Sequence, residues 1–359
     1  MQSNTEQLPV LCVGSAPSSG STLLADLLDA VPGLACGPEL NLFSIPKAYA
    51  YSDEFKTAAR KRHSFEVPYP VIRRSKFFNT KYLDVVGLTT ESLDQLLEAS
   101  TSFPDFIQRF ADNFASFRER ELKAIAEKTP ENLCCVKPFH QHFPHGTFII
   151  VVRDGRAVVG SLMRRGYSLY ESALVWLCCS HMAQEAADNL SRVIQVRYED
   201  LVTQPFARLA TVVNQLGFDV SATEISERFT NNPYRANIQR VPTWRAKEYT
   251  GKTITTFSYE EDLSTEEIAL LESLTLVLPD GRELGFSESL AMHDYPASGK
   301  KSNDVSGLWE QHAKAYYGES KNLDLQCGYS LIVRGSERTE KSQLNLLDQL
   351  NQKAGLKAA

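Results

Sequence analysis

The sequence predicts an α/β protein in which a buried parallel sheet is flanked by helices. Two observations carry that prediction. Short stretches nearly continuous in apolar residues, such as 147–152 and 193–197, alternate with longer amphipathic ones, the pattern of strands covered on both faces. In addition, LCVGSAPSSGSTLLADLLDAV at 11–31 passes from an apolar strand through a Gly/Ser turn into a helix.

Taken in order, strand 9–14 rests on Leu11, Cys12 and Val13, apolar and bounded by turn residues. Helix 20–31 opens on Gly20, Ser21 and Thr22 and carries an apolar face of Leu23, Leu24, Leu27, Leu28 and Val31. A long variable region at 40–87 is followed by amphipathic helices at 89–99 and 103–126. An apolar run gives strand 133–137, and the β-branched FIIVV gives strand 147–152. Helices 154–165 and 169–189, strand 193–197 and helix 199–216 complete the alternation. Beyond about 285, SGLWEQHAKAYYG and LQCGYSLIVRG read as ordered structure, and 337–352 has a helical pattern with a fraying Lys/Ala-rich tail. No Pro/Gly/Ser-rich linker divides the chain. The expected organisation is therefore one domain over 1–285, with a C-terminal extension, 286–359, packed on it.

Composition narrows the function classes. The chain has 359 residues, 43% hydrophobic and 23% charged, enough for a sizeable core. A formal net charge of −6 gives no support to nucleic-acid binding. The 7 cysteines, with adjacent pairs at Cys134/Cys135 and Cys178/Cys179, match neither a zinc site nor a secreted disulfide framework, and read as reduced thiols. No apolar run approaches the ~20 residues of a membrane span, and MQSNTEQ is polar rather than signal-like. A cytoplasmic protein with no membrane and no nucleic-acid partner is expected; the oligomeric state is not legible.

The turn at 14–22 is built for an anion. The first turn of a helix has unpaired N–H groups and the positive end of its dipole, so Ser19, Gly20, Ser21 and Thr22 form a phosphate cradle. The sheet is P-loop-like, yet the nucleoside-triphosphate motif GxxxxGK[ST] needs a lysine where Ser21 stands. That absence points away from ATP; an ATP-dependent P-loop phosphotransferase is the rival reading.

A second stretch, FIIVVRDGRAVVGSLMRR at 148–165, combines a strand, Arg153-Asp154-Gly155-Arg156 and a helix bearing Ser161 and Arg165. With the first loop it resembles the sulfotransferases that use 3′-phosphoadenosine 5′-phosphosulfate (PAPS). The RDGR run, Ser161 and Arg165 are most similar to protein-tyrosine sulfotransferases. CGPEL at 36–40, EKTPEN at 127–132 and VRYEDLV at 196–202 match further family segments in the expected order. Five ordered motifs over roughly 200 residues are far more specific than one. The resemblance implies the sulfotransferase fold, PAPS as donor, PAP as product, and no metal.

It also implies roles. Ser18, Ser19, Gly20, Ser21 and Thr22 would meet the 5′-phosphosulfate, while Arg153, Ser161 and Arg165 would hold the 3′-phosphate, Arg offering a planar fork of donors. Ser161 and Arg165, four apart, are expected on one helix face. Glu39 matches the family's general base, with Pro38 in place of an acidic neighbour. Most of the superfamily carries Lys or Arg at Ser18, so the charge developing on the leaving oxygen needs another cation, and Lys128 is the candidate. Tyr198 would lie near the nucleotide or brace the sheet end. Arg240, Trp244 and Arg245, in RVPTWRAKEYTGK, would close over the cofactor. Arg156 and Arg164 are expected to point elsewhere.

Two clusters stay open on sequence. Lys56, Arg60, Lys61, Arg62, Arg73, Arg74, Lys76 and Lys81 stand against the single acid Glu66, with Phe65, Tyr69, Phe77, Phe78 and Tyr82 among or beside them. They form either a basic island for an anionic partner or a solvated face over core aromatics. His140, His142 and His145 suggest a loop facing water or the acceptor rather than a metal site. The expected activity is transfer of the sulfuryl group to a hydroxyl or amine of a small-molecule acceptor, a secondary metabolite by preference. The alternatives are peptidyl tyrosine as acceptor, and a non-catalytic nucleotide-binding regulator that kept the fold.

Overall fold

The computed structural model describes residues 8–70, 74–233, 258–301, 304–318, 330–334 and 337–353. The chain forms two units. One comprises Met1–Ser15, Ser19–Val152 and Glu185–Thr255; the other comprises Ala16–Ser18, Arg153–Gln184 and Thr256–Ala359. Arg240, Trp244 and Arg245 lie outside the described residues, as does Arg73.

The first unit is built on five parallel strands: β1 (Val10–Ser15), β2 (Leu34–Cys36), β5 (Ala124–Lys128), β6 (Thr147–Val152) and β7 (Val193–Arg197), in the order β2-β5-β1-β6-β7. A small antiparallel hairpin, β3 (Ser64–Glu66) with β4 (Arg74–Lys76), lies between β2 and β5 in sequence. The central strands are buried along their whole length, which accounts for their unbroken apolar runs. Helix α1 (Ser21–Asp29) packs Leu24, Leu27 and Leu28 into a core with Ile149, Val151 and Val196.

Two sequence expectations are corrected. The helix expected over 103–126 ends at Phe117, and Ala124–Lys128 becomes β5. The strand expected at 133–137 is a 3-10 turn, Pro130–Cys135, running into helix Val136–His142. Prolines at 130 and 138 lack the N–H a central strand needs, whereas AIAEK hides two charged side chains that find partners inside the fold. Likewise the helix expected over 199–216 breaks at Gln204, where Pro205 starts a new one.

In the variable region Phe65, Tyr69, Phe77 and Phe78 are core and two of the bases are paired. Phe55, Phe65 and Phe77 form a contiguous aromatic cluster with Phe103 and Phe106. Arg60 pairs with Glu98 at 2.7 Å and Arg62 with Asp94 at 2.8 Å, so acids from a neighbouring helix, Thr90–Ala99, meet two of the bases. His140 and His142 turn Nδ1 onto the backbone oxygens of Val136 and Pro138 in their own helix.

A buried ion cluster closes this unit. Asp29, fully buried at the end of α1, accepts from Arg118 at 3.2 Å, from Asn232 at 2.7 Å and from the backbone N–H of Cys36 at 3.0 Å, with Arg120 at 3.6 Å. It therefore ties α1 to the strand that leads into the CGPEL segment.

The second unit contains the helix Gly155–Met163 and an antiparallel sheet ordered β10-β8-β9, where β8 is Leu274–Val277, β9 is Glu283–Gly285 and β10 is Ser330–Val333. Arg156 bonds Asp154 at 2.7 Å and Glu272 at 2.8 Å and lies over the Tyr259 ring, while Arg164 pairs with Asp262. Both guanidinium groups are thus committed to structure, as expected. The segment SGLWEQHAKAYYG, read as ordered structure, lies in the helix Val305–Gly318, and the helical pattern at 337–352 is the helix Glu337–Lys353. Among the described residues, no helix is long and apolar enough to cross a membrane, and no group of His, Cys, Asp and Glu is placed to hold a metal ion.

Candidate active site

Strand order reverses at β1: the chain moves to β2 and β5 on one side and to β6 and β7 on the other. In an open parallel sheet, ligands collect beyond the carboxyl end of such a strand. There the chain makes a left-handed turn, with Ser18 at φ 65° and Gly20 at φ 89°. Gly20 caps α1, and no side chain caps its first turn. Ser19 Oγ is buried with no hydrogen-bond partner among the described residues. The ring of Tyr198, first residue of the helix Tyr198–Thr203, lies against Gly20 so closely that a Cβ there would come within 2.2 Å of Tyr198 Cδ2. Both φ and this approach require glycine.

Lys128 joins two sequence motifs. It is the last residue of β5 rather than part of a turn, and its buried Nζ donates to Glu39 Oε1 at 2.7 Å and to Thr22 Oγ1 at 3.4 Å. One ammonium therefore connects the first turn of α1 to the candidate base. Glu39 itself is 42% exposed at the side chain, so it can meet a partner from solution.

The segment carrying Glu39 is fixed at both ends. Cys36 N–H donates to Asp29, and Leu40 N–H donates to Glu127 Oε1 at 3.1 Å. Glu127 also accepts from Thr129 Oγ1 and Asn132 Nδ2, each at 2.6 Å, and Asn132 reaches back to the Val13 carbonyl at 3.0 Å. Sequence reasoning passed over Glu127. The signal was there: an acid inside a short run that is otherwise a buried strand must have donors waiting for it. Burial raises its carboxyl pKa, opposed by the bonds from Thr129, Asn132 and Leu40.

Glu131 was missed too. Burial first, then the neighbouring Glu39 carboxylate, push its carboxyl up to about 7, against the pull of Lys128. A folded-state pKa raised above the 4.5 of an unperturbed Glu means that folding favours the protonated form. Its contribution to stability is complete below pH ~4.5 and is lost as pH rises through ~7. Glu131→Gln should therefore be more stable than the parent at pH 8, by up to about 3 kcal/mol, and equal to it near pH 4.5. Urea midpoints at both pH values check this. A gap independent of pH would show that Glu131 does not titrate in this way.

In the second unit, two of the three residues assigned to the 3′-phosphate, Arg153 and Arg165, meet at Ser18. Arg153 Nη1 donates to the Ser18 carbonyl at 2.7 Å, and Arg165 Nη1 donates to Ser18 Oγ at 2.9 Å. Arg153 is buried, and its own carbonyl accepts from Trp176 Nε1 at 3.2 Å. Chain continuity accounts for the convergence: Ser15 is in register with Val151 in the sheet, and the two strands run on toward Ser18 and Arg153. Ser161 is half-buried on the helix Gly155–Met163. Arg165 does not share that helix, which ends two residues earlier; it sits in the turn before Gly166, at φ 91°. The shared helical face expected for Ser161 and Arg165 is therefore not the device that orients Arg165.

A model of the sulfotransferase family matches residues 9–222. The chain is similar to protein-tyrosine sulfotransferase 1 of Danio rerio, 26% identical over 220 residues, 59% of this chain and 54% of the relative. It is also similar to protein-tyrosine sulfotransferase 2 of Gallus gallus, 25% identical over 248 residues, 66% of this chain and 59% of the relative. It thus spans little more than half the length of these relatives. Among solved structures, the sulfotransferase domain from the Synechococcus PCC 7002 olefin synthase aligns with a TM-score of 0.45 at 22% identity, over 66% of this chain and 87% of that chain.

Proposed function

The chain belongs to the sulfotransferase family, its residues 9–222 matching the family model, and on that premise we propose that it transfers a sulfuryl group from PAPS to a hydroxyl or amine acceptor. The observation that carries the proposal is the bond set of Lys128, which links Thr22 in the phosphate cradle to Glu39. A cradle, a buried cation and a solvent-reachable carboxylate in one arrangement suit transfer of an anionic group to a protic acceptor.

The residues present fit the donor. An uncapped helix start at Gly20 and the orphan hydroxyl of Ser19 are donors suited to an anion, and the guanidinium groups of Arg153 and Arg165 suit a second one. PAPS supplies the activated sulfuryl group. Residues 19–22 would bind its 5′ end, and Arg153, Ser161 and Arg165 its 3′-phosphate. Glu39 would accept the acceptor's proton at Oε1 or Oε2, and Lys128 would hold negative charge beside Thr22. No metal is required of this chemistry.

A small-molecule acceptor is the preferred reading, supported by the pairing of Arg60 and Arg62 with acids of the same unit, which draws down a basic face for an anionic polypeptide. Peptidyl tyrosine is the second reading, favoured by the names of the relatives. A reducing, cytoplasmic setting is part of the proposal and fits the six described cysteines, among which no disulfide forms.

The test is incubation with labelled PAPS and fractionated cell extract, followed by identification of the labelled product. Label in a small molecule supports the preferred acceptor, and label in protein tyrosine supports the second. A melting shift with ATP–Mg but none with 3′,5′-ADP would overturn the donor assignment. Tight 3′,5′-ADP binding with no transfer to any acceptor would leave a regulatory binding protein. Within the binding site, Arg153→Ala should weaken 3′,5′-ADP by about 1.5–3 kcal/mol, roughly 10- to 150-fold, by titration calorimetry; Arg153→Lys should not restore it, because a point charge does not replace the fork.

A further inference from the structure

We propose that Ser18 is a positioning residue for the 3′-phosphate subsite, holding Arg165 through its hydroxyl and Arg153 through its carbonyl. The inference rests on the PAPS reading above and goes beyond it. On that reading Ser18 meets the 5′-phosphosulfate and stands where a cation is missing. In the structure it is the point on which two cations meet.

Three features support the assignment. The first is the pair of short contacts: Arg165 Nη1 at 2.9 Å from Ser18 Oγ, and Arg153 Nη1 at 2.7 Å from Ser18 O. Both atoms of one residue are engaged by guanidinium donors. The covalent span of a serine keeps those two donors within about 10 Å of each other.

The second is how Arg165 is held. It stands past the end of its helix, so helical geometry does not direct its side chain. Its guanidinium lies 5.7 Å from the centre of the Tyr167 ring, and Ser18 Oγ supplies a directional contact. The third is backbone conformation. Ser18 has φ 65°, a left-handed geometry that costs energy for a residue with a Cβ and persists where surrounding contacts hold it. Here the Arg153 bond to its carbonyl is such a contact.

A lysine or arginine at this position would meet the charge of Arg165 instead of accepting a hydrogen bond from it. Ser18 is also joined by a peptide bond to Ser19, the first residue of the stretch assigned to the 5′ end.

The experiment compares two probes, 3′,5′-ADP and 5′-AMP, which differ only in the 3′-phosphate, by titration calorimetry on the full chain. Ser18→Ala should weaken 3′,5′-ADP about tenfold or more, and by a clearly larger factor than it weakens 5′-AMP. Ser18→Asn should recover most of the loss, because asparagine tolerates positive φ and its amide oxygen can accept from Arg165. Ser18→Lys should weaken 3′,5′-ADP at least as much as Ser18→Ala. Equal loss for both probes would reduce Ser18 to a structural turn residue and overturn the proposal, as would unchanged 3′,5′-ADP affinity in Ser18→Ala or tighter binding in Ser18→Lys. If the parent chain itself does not discriminate 3′,5′-ADP from 5′-AMP, the PAPS reading fails instead, and the two failures are told apart.

Discussion

Glu39→Gln is expected to abolish turnover, by about 10²- to 10⁴-fold, while leaving 3′,5′-ADP affinity nearly intact. The side chain keeps its shape, so Lys128 Nζ retains an amide oxygen to bond, and the turn at 18–22 is not altered. What disappears is a group able to take the acceptor's proton. Steady-state kinetics with an acceptor in hand should therefore show the loss in kcat, and the limb of the pH profile that reports the free base should vanish. Equal loss of turnover and of nucleotide binding would show that Glu39 shapes the site rather than acting as base.

Asp29→Ala is expected to destabilise the fold by about 3–5 kcal/mol, the cost of leaving a buried guanidinium without its carboxylate. Arg118 and Asp29 are both wholly shielded from solvent at the side chain, so water cannot replace the lost partner. The N–H of Cys36 loses its acceptor at the same time, which loosens the segment leading to Glu39. Urea denaturation should show a lowered midpoint at unchanged slope. The double variant Asp29→Leu/Arg118→Met removes both charges and should recover part of the loss, since paired apolar replacements are often tolerated. A midpoint unmoved in Asp29→Ala would mean the cluster contributes nothing to stability.

These two variants probe different layers of one arrangement, and the layers differ in how far the sequence exposes them. Glu39 and Lys128 were legible one at a time, because each stands in a short motif whose residue types already suit the chemistry. Their contact was not, since 89 residues separate them and only the pairing of β2 with β5 brings their segments together. Glu131 was not legible at all, and Glu127 only as an acid inside an otherwise apolar run. A carboxylate declares itself as a strut or as a proton-holding group through its burial and its donors, and both are properties of the folded neighbourhood.

The sheet tells the same story from the other side. The strand at 147–152 was read to the residue because burial on both faces leaves a nearly unbroken apolar run; the half-buried strand at 193–197 has the expected bounds too, carried by β-branched Val193, Ile194 and Val196. β5 was mistaken because Glu127 and Lys128 interrupt the run, and the apolar stretch at 133–136 took its place.

By itself, then, the sequence determined the α/β class, the phosphate cradle and the paired arginine motif, since these follow from local periodicity and from residue types at close spacing. Only the tertiary structure decided that Lys128 bridges Thr22 to Glu39, that Glu127 and Glu131 are buried, and that Arg153 and Arg165 converge on Ser18. Those are contacts between segments about 90 to 150 residues apart. Hydrogen bonds and ion pairs at such separations depend on where whole strands are seated, and seating is set by burial of the sheet as a unit.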